Sequence, residues 1–390
     1  MSEGDGEVER PSIRTATVGP RQAARLVSER PGPTFIAVGG IHGNEPGGIE
    51  GALRGVGRLE AVADRLRGEV VVFRGNMGGL AAKRRYHVRD LNRVWNEKVV
   101  AVLEEKPREG LDPEEREQIE LLEAIRAVIA RARGQVYLVD LHTTSAAGVP
   151  FVIFGDTLPQ RRFVRALPLP LVIGLEEQVD GVLAEYWTRQ GCVTFTVEGG
   201  QHDDPSSVDN LEAAFMLAVE AAGLVPRGAI DTKPDHDLLE HRRGRLPKVM
   251  EVVERHAITP DDQFKMAPGF KNLDHARAGQ YLASDKDGEI HAPSDGLVIL
   301  PLYQAQGNDG FFWGRAVSEA RLAASERIRT MKLDRLLRFL PGVKKDEAHP
   351  SRFFVDRRIA RLYPLDVFHM FGYRRFREQG EILTVERQPG

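Results

Sequence analysis

The 390-residue chain balances 54 Lys and Arg against 57 Asp and Glu, for a net charge of -3, and 42% of its residues are apolar. That profile fits a globular protein long enough for two domains, and the near-neutral charge argues against a general nucleic-acid or membrane partner. One cysteine, Cys192, excludes an internal disulfide and fits a reducing compartment; no run of roughly 18 apolar residues offers a membrane span, and the polar residues 1–6 lack the layout of a secretion signal, so a cytoplasmic location is expected.

Residues 34–38 form an apolar run that predicts a buried strand, followed by a glycine-rich turn and a predicted helix over 46–66 with Pro46 in its first turn. A second strand is expected at 70–73. Asp112-Pro113-Glu114-Glu115 opens a helix well, with an N-cap aspartate, proline at the first position and acids at the positive dipole end. Apolar Ile119, Leu122, Ile125 and Ile129 continue that helix at helical spacing to about residue 133. Short apolar strands follow at 136–141, 151–154, 171–174 and 193–197, then a helix at 211–222. Strands alternating with helices predict an α/β fold with a mostly parallel sheet covered by helices. From 249 to 317 the apolar runs are short and separated by Pro-Gly, Asp-Gly and Asn-Asp-Gly turns, which predicts a small all-β domain. A helix is expected over 318–340. The last 60 residues hold 13 Lys or Arg against 8 Asp or Glu, with aromatics including Phe353, Phe354, Tyr363, Phe368, Phe371, Tyr373 and Phe376. A basic aromatic tail suits nucleic acid, but without a repeat the favoured reading is that the aromatics pack onto the body and the arginines face water. The expected organisation is an α/β domain at 1–235, a small β domain at 245–320 and a C-terminal extension at 325–390.

Chemistry concentrates at the predicted strand ends. Gly39-Gly40-Ile41-His42-Gly43-Asn44-Glu45 sets a histidine and a glutamate three residues apart directly after the first strand. Imidazole and carboxylate suit zinc, and three protein ligands with a water make a catalytic site. A third ligand is offered by Leu138-Val139-Asp140-Leu141-His142, because parallel strands bring their C-terminal ends together. Asp140 shares a strand face with His142 and is placed to fix its tautomer. Thr194-Phe195-Thr196-Val197-Glu198-Gly199-Gly200 ends another strand in a carboxylate that can move a proton between water and a leaving amine. Asn76 and the run from Arg84 to Arg93, with four arginines in ten residues, suit anionic substrate groups. Each piece alone has a bland alternative: a chance His-x-x-Glu, an exposed strand-end glutamate, a solvated basic loop. Together they converge on one site.

These motifs resemble the succinylglutamate desuccinylase/aspartoacylase family, relatives of the zinc carboxypeptidases, over roughly residues 33–320. The resemblance implies that His42, Glu45 and His142 hold one zinc ion per chain, that Glu198 is the catalytic glutamate, and that Arg85 polarises the scissile carbonyl. It further implies substrate binding by Asn92 and Arg93, by Asn76 in the same motif, and by Arg189 upstream of the catalytic glutamate. By the same resemblance the α/β domain is the catalytic one and the β domain shapes the substrate pocket. The family's β-domain tyrosine has no direct match in Asn308-Asp309-Gly310-Phe311-Phe312-Trp313; Tyr303 lies several positions earlier. The expected function is a zinc-dependent amidohydrolase acting on a small anionic N-acyl amino acid or related amide. No nucleic-acid or membrane partner is expected, and a homo-oligomer is left open. The alternatives are a metallocarboxypeptidase or esterase on the same site, or a non-catalytic binding protein. A second cluster, His236 to His241, has the wrong spacing for either zincin motif and reads as a solvated helix. His202 follows Glu198 closely enough to line the pocket, but the favoured reading is a loop histidine; Cys192 reads as buried and inert.

Overall fold

The computed structural model describes residues 19–360 and 365–387, so residues 1–6 and Tyr363 lie outside the described part, as does the side chain of Phe376. Eight strands make the body of the fold: β1 (Gln22–Val27), β2 (Thr34–Gly39), β3 (Glu69–Arg74), β4 (Val136–Thr144), β5 (Phe151–Ile153), β6 (Leu171–Ile173), β7 (Val193–Gln201) and β8 (Val249–Ala257). They lie in one sheet in the order β1-β3-β2-β4-β7-β5-β6-β8, which continues through strands Asp309–Ala316, Gly296–Ile299 and Asp274–Ala276 to make eleven. The centre is parallel: β2 pairs with β3 and β4, and β4 with β7. Both faces of β2 are buried, with Phe35 and Ala37 in one packed cluster and Ile36 and Val38 in another. That two-sided burial is why these strands read as unbroken apolar runs.

Small residues let the first helix sit close to the sheet. Helix Gly47–Glu60 packs with Gly48 so near β4 that a Cβ there would lie 2.3 Å from the Leu141 carbonyl oxygen. The turn before it needs Gly40 at φ +67°, a left-handed conformation that glycine adopts without steric cost. The expected capping at 112–115 is present: Asp112 accepts from the Glu115 amide and Glu115 accepts from the Asp112 amide, opening helix Pro113–Ala130.

The β-rich stretch extends the main sheet, because β8 pairs with β6 at Leu171–Val249 and with strand Asp309–Ala316 on its other edge. The expected long helix over 318–340 is shorter. Helix Glu319–Thr330 stops where Lys332 turns left-handed at φ +53°, and a 3-10 segment, Leu333–Phe339, follows. Beyond it lies an antiparallel sheet of strands Val343–Lys345, Arg352–Asp356, Ile382–Arg387 and Tyr373–Gln379, in that order. Phe353, Phe368 and Tyr373 pack with Leu337, Val343, Val355, Leu383 and Val385 in a core of the extension's own, and not onto the body as expected, because the extension folds its own sheet around them. The arginines do not all face water: Arg374 is only 11% exposed and is held by three carboxylates from the main sheet side.

Candidate active site

The C-terminal ends of β2, β4 and β7 bring the predicted residues together. The Gly39–Leu141 register aligns β2 with β4, and His142 lies opposite Glu198 between β4 and β7. His42 Nδ1 lies 2.9 Å from Glu45 Oε1, and His142 Nδ1 lies 2.9 Å from Glu45 Oε2. The ligand-type atoms of His42, Glu45 and His142 all lie within 4.8 Å of one another, and all three side chains are buried. Each outer ring nitrogen meets a carboxylate: His42 Nε2 is 3.1 Å from Asp90 Oδ1 and His142 Nε2 is 2.9 Å from Asp140 Oδ2. Those two contacts are the arrangement by which outer carboxylates orient metal-binding imidazoles.

The donor set fits a divalent cation such as zinc. With each outer N–H given to an aspartate, two imidazole lone pairs and a carboxylate face one small volume, and only protons or a cation can satisfy them together. Burial pushes the Glu45 carboxyl up, but His42 and His142 outweigh it and hold Glu45 well below the usual carboxylate range. Burial likewise opposes charge on His142, while Asp140 and Glu45 raise it well above its ordinary value.

Glu198 stands beside this triad and is not one of its three members. Its carboxyl is buried, Oε2 has no hydrogen-bond partner among the described residues, and burial, helped by Glu45 and Asp140 against His142 and Arg85, pushes it up to about 8. Arg85 donates to Asp90 Oδ2 through Nε at 3.1 Å and through Nη2 at 2.9 Å, and Nη1 approaches Glu45 at 3.4 Å. Asn92 accepts from the Leu183 amide at 2.8 Å and donates to Asp140 at 3.4 Å, so it ties the loop to the strand end. Arg93 reaches Asp309 at 2.7 Å.

His42, Glu45, Arg85, Asn92, Arg93, His142 and Glu198 all line one cavity of about 120 Å3. Two expected substrate residues are not brought there. Arg189 bonds Glu185 one helical turn away, and that pairing directs it along its own helix. Asn76 is fully buried as an N-cap, accepting from the Gly79 amide and donating to Glu114, so it supports the loop and does not line the cavity. Tyr303 also points elsewhere: its hydroxyl donates to the Ala267 carbonyl and accepts from the Phe270 amide.

The neighbouring Gln304 lines the cavity instead. Its Oε1 accepts from Asn44 at 2.9 Å and lies 3.2 Å from His202 Nε2, while His202 Nδ1 meets Thr143 Oγ1 at 2.7 Å. His202 is therefore a cavity residue, the less favoured of the two readings its sequence setting allowed; its place four residues after Glu198 was the signal for it. Nothing in the sequence pointed to Gln304 or Asp309. The His236 cluster is on helix Lys233–Arg243, with Asp235 given to Arg58, as its sequence reading held. Cys192 is buried, which pushes its thiol up to about 12.

The catalytic-domain model of the succinylglutamate desuccinylase/aspartoacylase family matches residues 31–221. Residues 31–221 carry that family's catalytic-domain pattern. The family's members are deacylating hydrolases of zinc carboxypeptidase-like fold. Among solved structures, the chain is similar to succinylglutamate desuccinylase from Chromobacterium violaceum, at 17% identity over 75% of this chain and 88% of that one, with a TM-score of 0.52. The corresponding values for the enzyme from Vibrio cholerae are 14%, 80%, 93% and 0.54. For the succinylglutamate desuccinylase/aspartoacylase from Rhodobacter sphaeroides they are 16%, 80%, 100% and 0.53. At these identities the likeness establishes shared fold. A comparison with curated proteins finds no match. Among the described residues no helix is long and apolar enough to cross a membrane.

Proposed function

We propose that this protein is a zinc-dependent amidohydrolase that removes an acyl group from the amine of a small anionic N-acyl amino acid or related amide. The observation that carries the reading is the meeting of His42, Glu45 and His142 with an unpartnered, buried Glu198 in one cavity. His42, Glu45 and His142 would hold the ion, which when bound supplies Lewis-acid polarisation of the carbonyl and a more acidic water. Glu198 takes the proton of the attacking water and returns it to the departing amine; its buried Oε2 has no partner among the described residues to compete for that proton. Arg85, oriented by Asp90, steadies the oxyanion that develops on the carbonyl oxygen. Arg85 and Arg93 are the cations of the cavity lining and support an anionic substrate.

Size supports a small substrate over a peptide. Leu300, Pro301, Leu302, Gln304, Gly307, Asn308 and Asp309 all line the cavity, so one segment of the β-rich region covers it, and Gln304 is tied to Asn44 and His202 on the other side. The test is amine release from a panel of N-acyl amino acids and C-terminal peptides by the wild-type protein and Glu198→Gln. The expected result is turnover of N-acyl amino acids by the wild type, with a loss of roughly 10^2 to 10^4 in kcat and unchanged metal content in the variant. Equal turnover in the variant would remove Glu198 from the mechanism, and a preference for peptides would replace the substrate class.

A further inference from the structure

The C-terminal extension has no part in the chemistry above, yet two of its arginines are nearly withdrawn from solvent, Arg329 at 4% and Arg374 at 11% side-chain exposure. Arg374 makes three charge-assisted contacts to three separate elements: Nε to Asp156 Oδ2 at 2.6 Å, Nη1 to Glu177 Oε1 at 2.7 Å, and Nη2 to Glu251 Oε1 at 3.1 Å. His369 repeats two of them, with Nδ1 3.1 Å from Glu251 and Nε2 3.2 Å from Glu177. Asp156 also receives Arg161 and, at 2.8 Å, Arg329.

Each anchored carboxylate is next to a wall of the cavity. Asp156 follows Ile153, the last residue of β5, by three positions. Glu177 is two residues after Leu175 in helix Leu175–Gln178. Glu251 on β8 lies opposite Ile173, which leads into that helix, and opposite Arg315 on the strand that carries Phe312. Ile153, Leu175, Val182, Leu300 and Phe312 all line the cavity, and all five pack in one apolar cluster, so they form a continuous wall. Asp156 itself is held at φ +61°, a left-handed conformation that a non-glycine residue keeps only when its surroundings fix it. The two segments behind the wall, 153–156 and 175–177, are short, and Arg374 of the extension ties both to Glu251 on β8.

We propose that the C-terminal extension is a specificity element, in which Arg374, assisted by His369, is a positioning residue that holds this apolar wall against the apolar part of the substrate. The assignment of the cavity as the substrate site rests on the proposed function. Arg374 touches none of the reacting groups, so its loss loosens the wall and leaves the metal ligands and Glu198 in place.

The test uses the full chain. Wild type, Arg374→Gln, Arg374→Lys and His369→Gln are compared for kcat, KM, bound metal and, separately from turnover, for calorimetric binding of hexanoate as an apolar carboxylate probe. The expected result for Arg374→Gln is a roughly tenfold rise in KM and in the hexanoate Kd, with kcat and metal content within about twofold of wild type. Arg374→Lys recovers part of the loss, and His369→Gln moves the same quantities less. Should Arg374→Gln not fold, His369→Gln reads the same split. Unchanged KM and hexanoate affinity in folded variants, no hexanoate binding by the wild type, or a loss of kcat together with metal overturns the proposal. A wild type that binds hexanoate with the stated dependence on Arg374 but hydrolyses no N-acyl compound would refute the proposed reaction and leave this inference standing.

Discussion

Replacing Asp156 by asparagine removes the single negative charge to which three arginines are bound. Arg161, Arg329 and Arg374 keep side-chain exposures of only 2%, 4% and 11%. Arg374 retains Glu177 and Glu251, but Arg161 and Arg329 are left with neutral acceptors such as the Leu322, Met370 and His369 carbonyls. Breaking a buried ion pair from one side costs about 3–5 kcal/mol, and because asparagine keeps one acceptor oxygen the lower end, about 3 kcal/mol, is expected. Against a typical stability of roughly 5–15 kcal/mol that is a large share. The assay is reversible urea unfolding of wild type and Asp156→Asn, with an unchanged slope on denaturant and a shifted midpoint. A pH dependence follows. Burial opposes the charge on Asp156, but Arg329, Arg374 and Arg161 prevail and hold its carboxyl well below the usual range. A depressed folded value means the stabilisation is present above the unfolded pKa of about 3.9 and is lost as pH falls toward the folded value. The gap between the two proteins is therefore full at neutral pH and narrows below about pH 4. A gap under about 1 kcal/mol at pH 7, or one that widens on acidification, refutes the reasoning.

Three further outcomes are expected. Asp140→Asn deprives His142 of its outer carboxylate and lowers metal affinity about 10- to 100-fold in a chelator competition, with the fold retained. Gly48→Ala drives a methyl to 2.3 Å from the Leu141 carbonyl and lowers stability by about 1–3 kcal/mol in thermal unfolding, whereas Gly57→Ala, with open space around it, does not. Asp309→Asn frees Arg93 from its ion pair and lowers KM for N-acyl amino acids that carry an extra carboxylate; an unchanged KM for those substrates would show that Arg93 does not face them.

The parts of the fold legible in the sequence are those where local pattern and tertiary burial agree. Strands β2 and β3 are buried on both faces along their centres, so residues 35–38 and 70–73 are all apolar and each run is visible without any partner in view. Strand β1 was not anticipated, since its alternation of half-buried and buried residues is weak on a sheet edge. The metal-type triad was legible because two members share one turn and the third ends a strand like β2. Gln304 and Asp309 were not, because they reach the cavity from a segment that carries no motif of its own. The same limit explains the extension. Arg374 looks like a surface arginine in sequence; its burial is set by Asp156, Glu177 and Glu251, and the spacing of charges along a chain holds no record of which distant carboxylate meets which guanidinium.

The most direct measurement is the metal content of the purified protein, by elemental analysis of wild type and of His42→Ala and His142→Ala. One zinc ion per wild-type chain and none in either variant is the expected result. A wild type that takes up no divalent metal, or variants that keep a full complement, would contradict the claim that these two histidines and Glu45 hold a single ion.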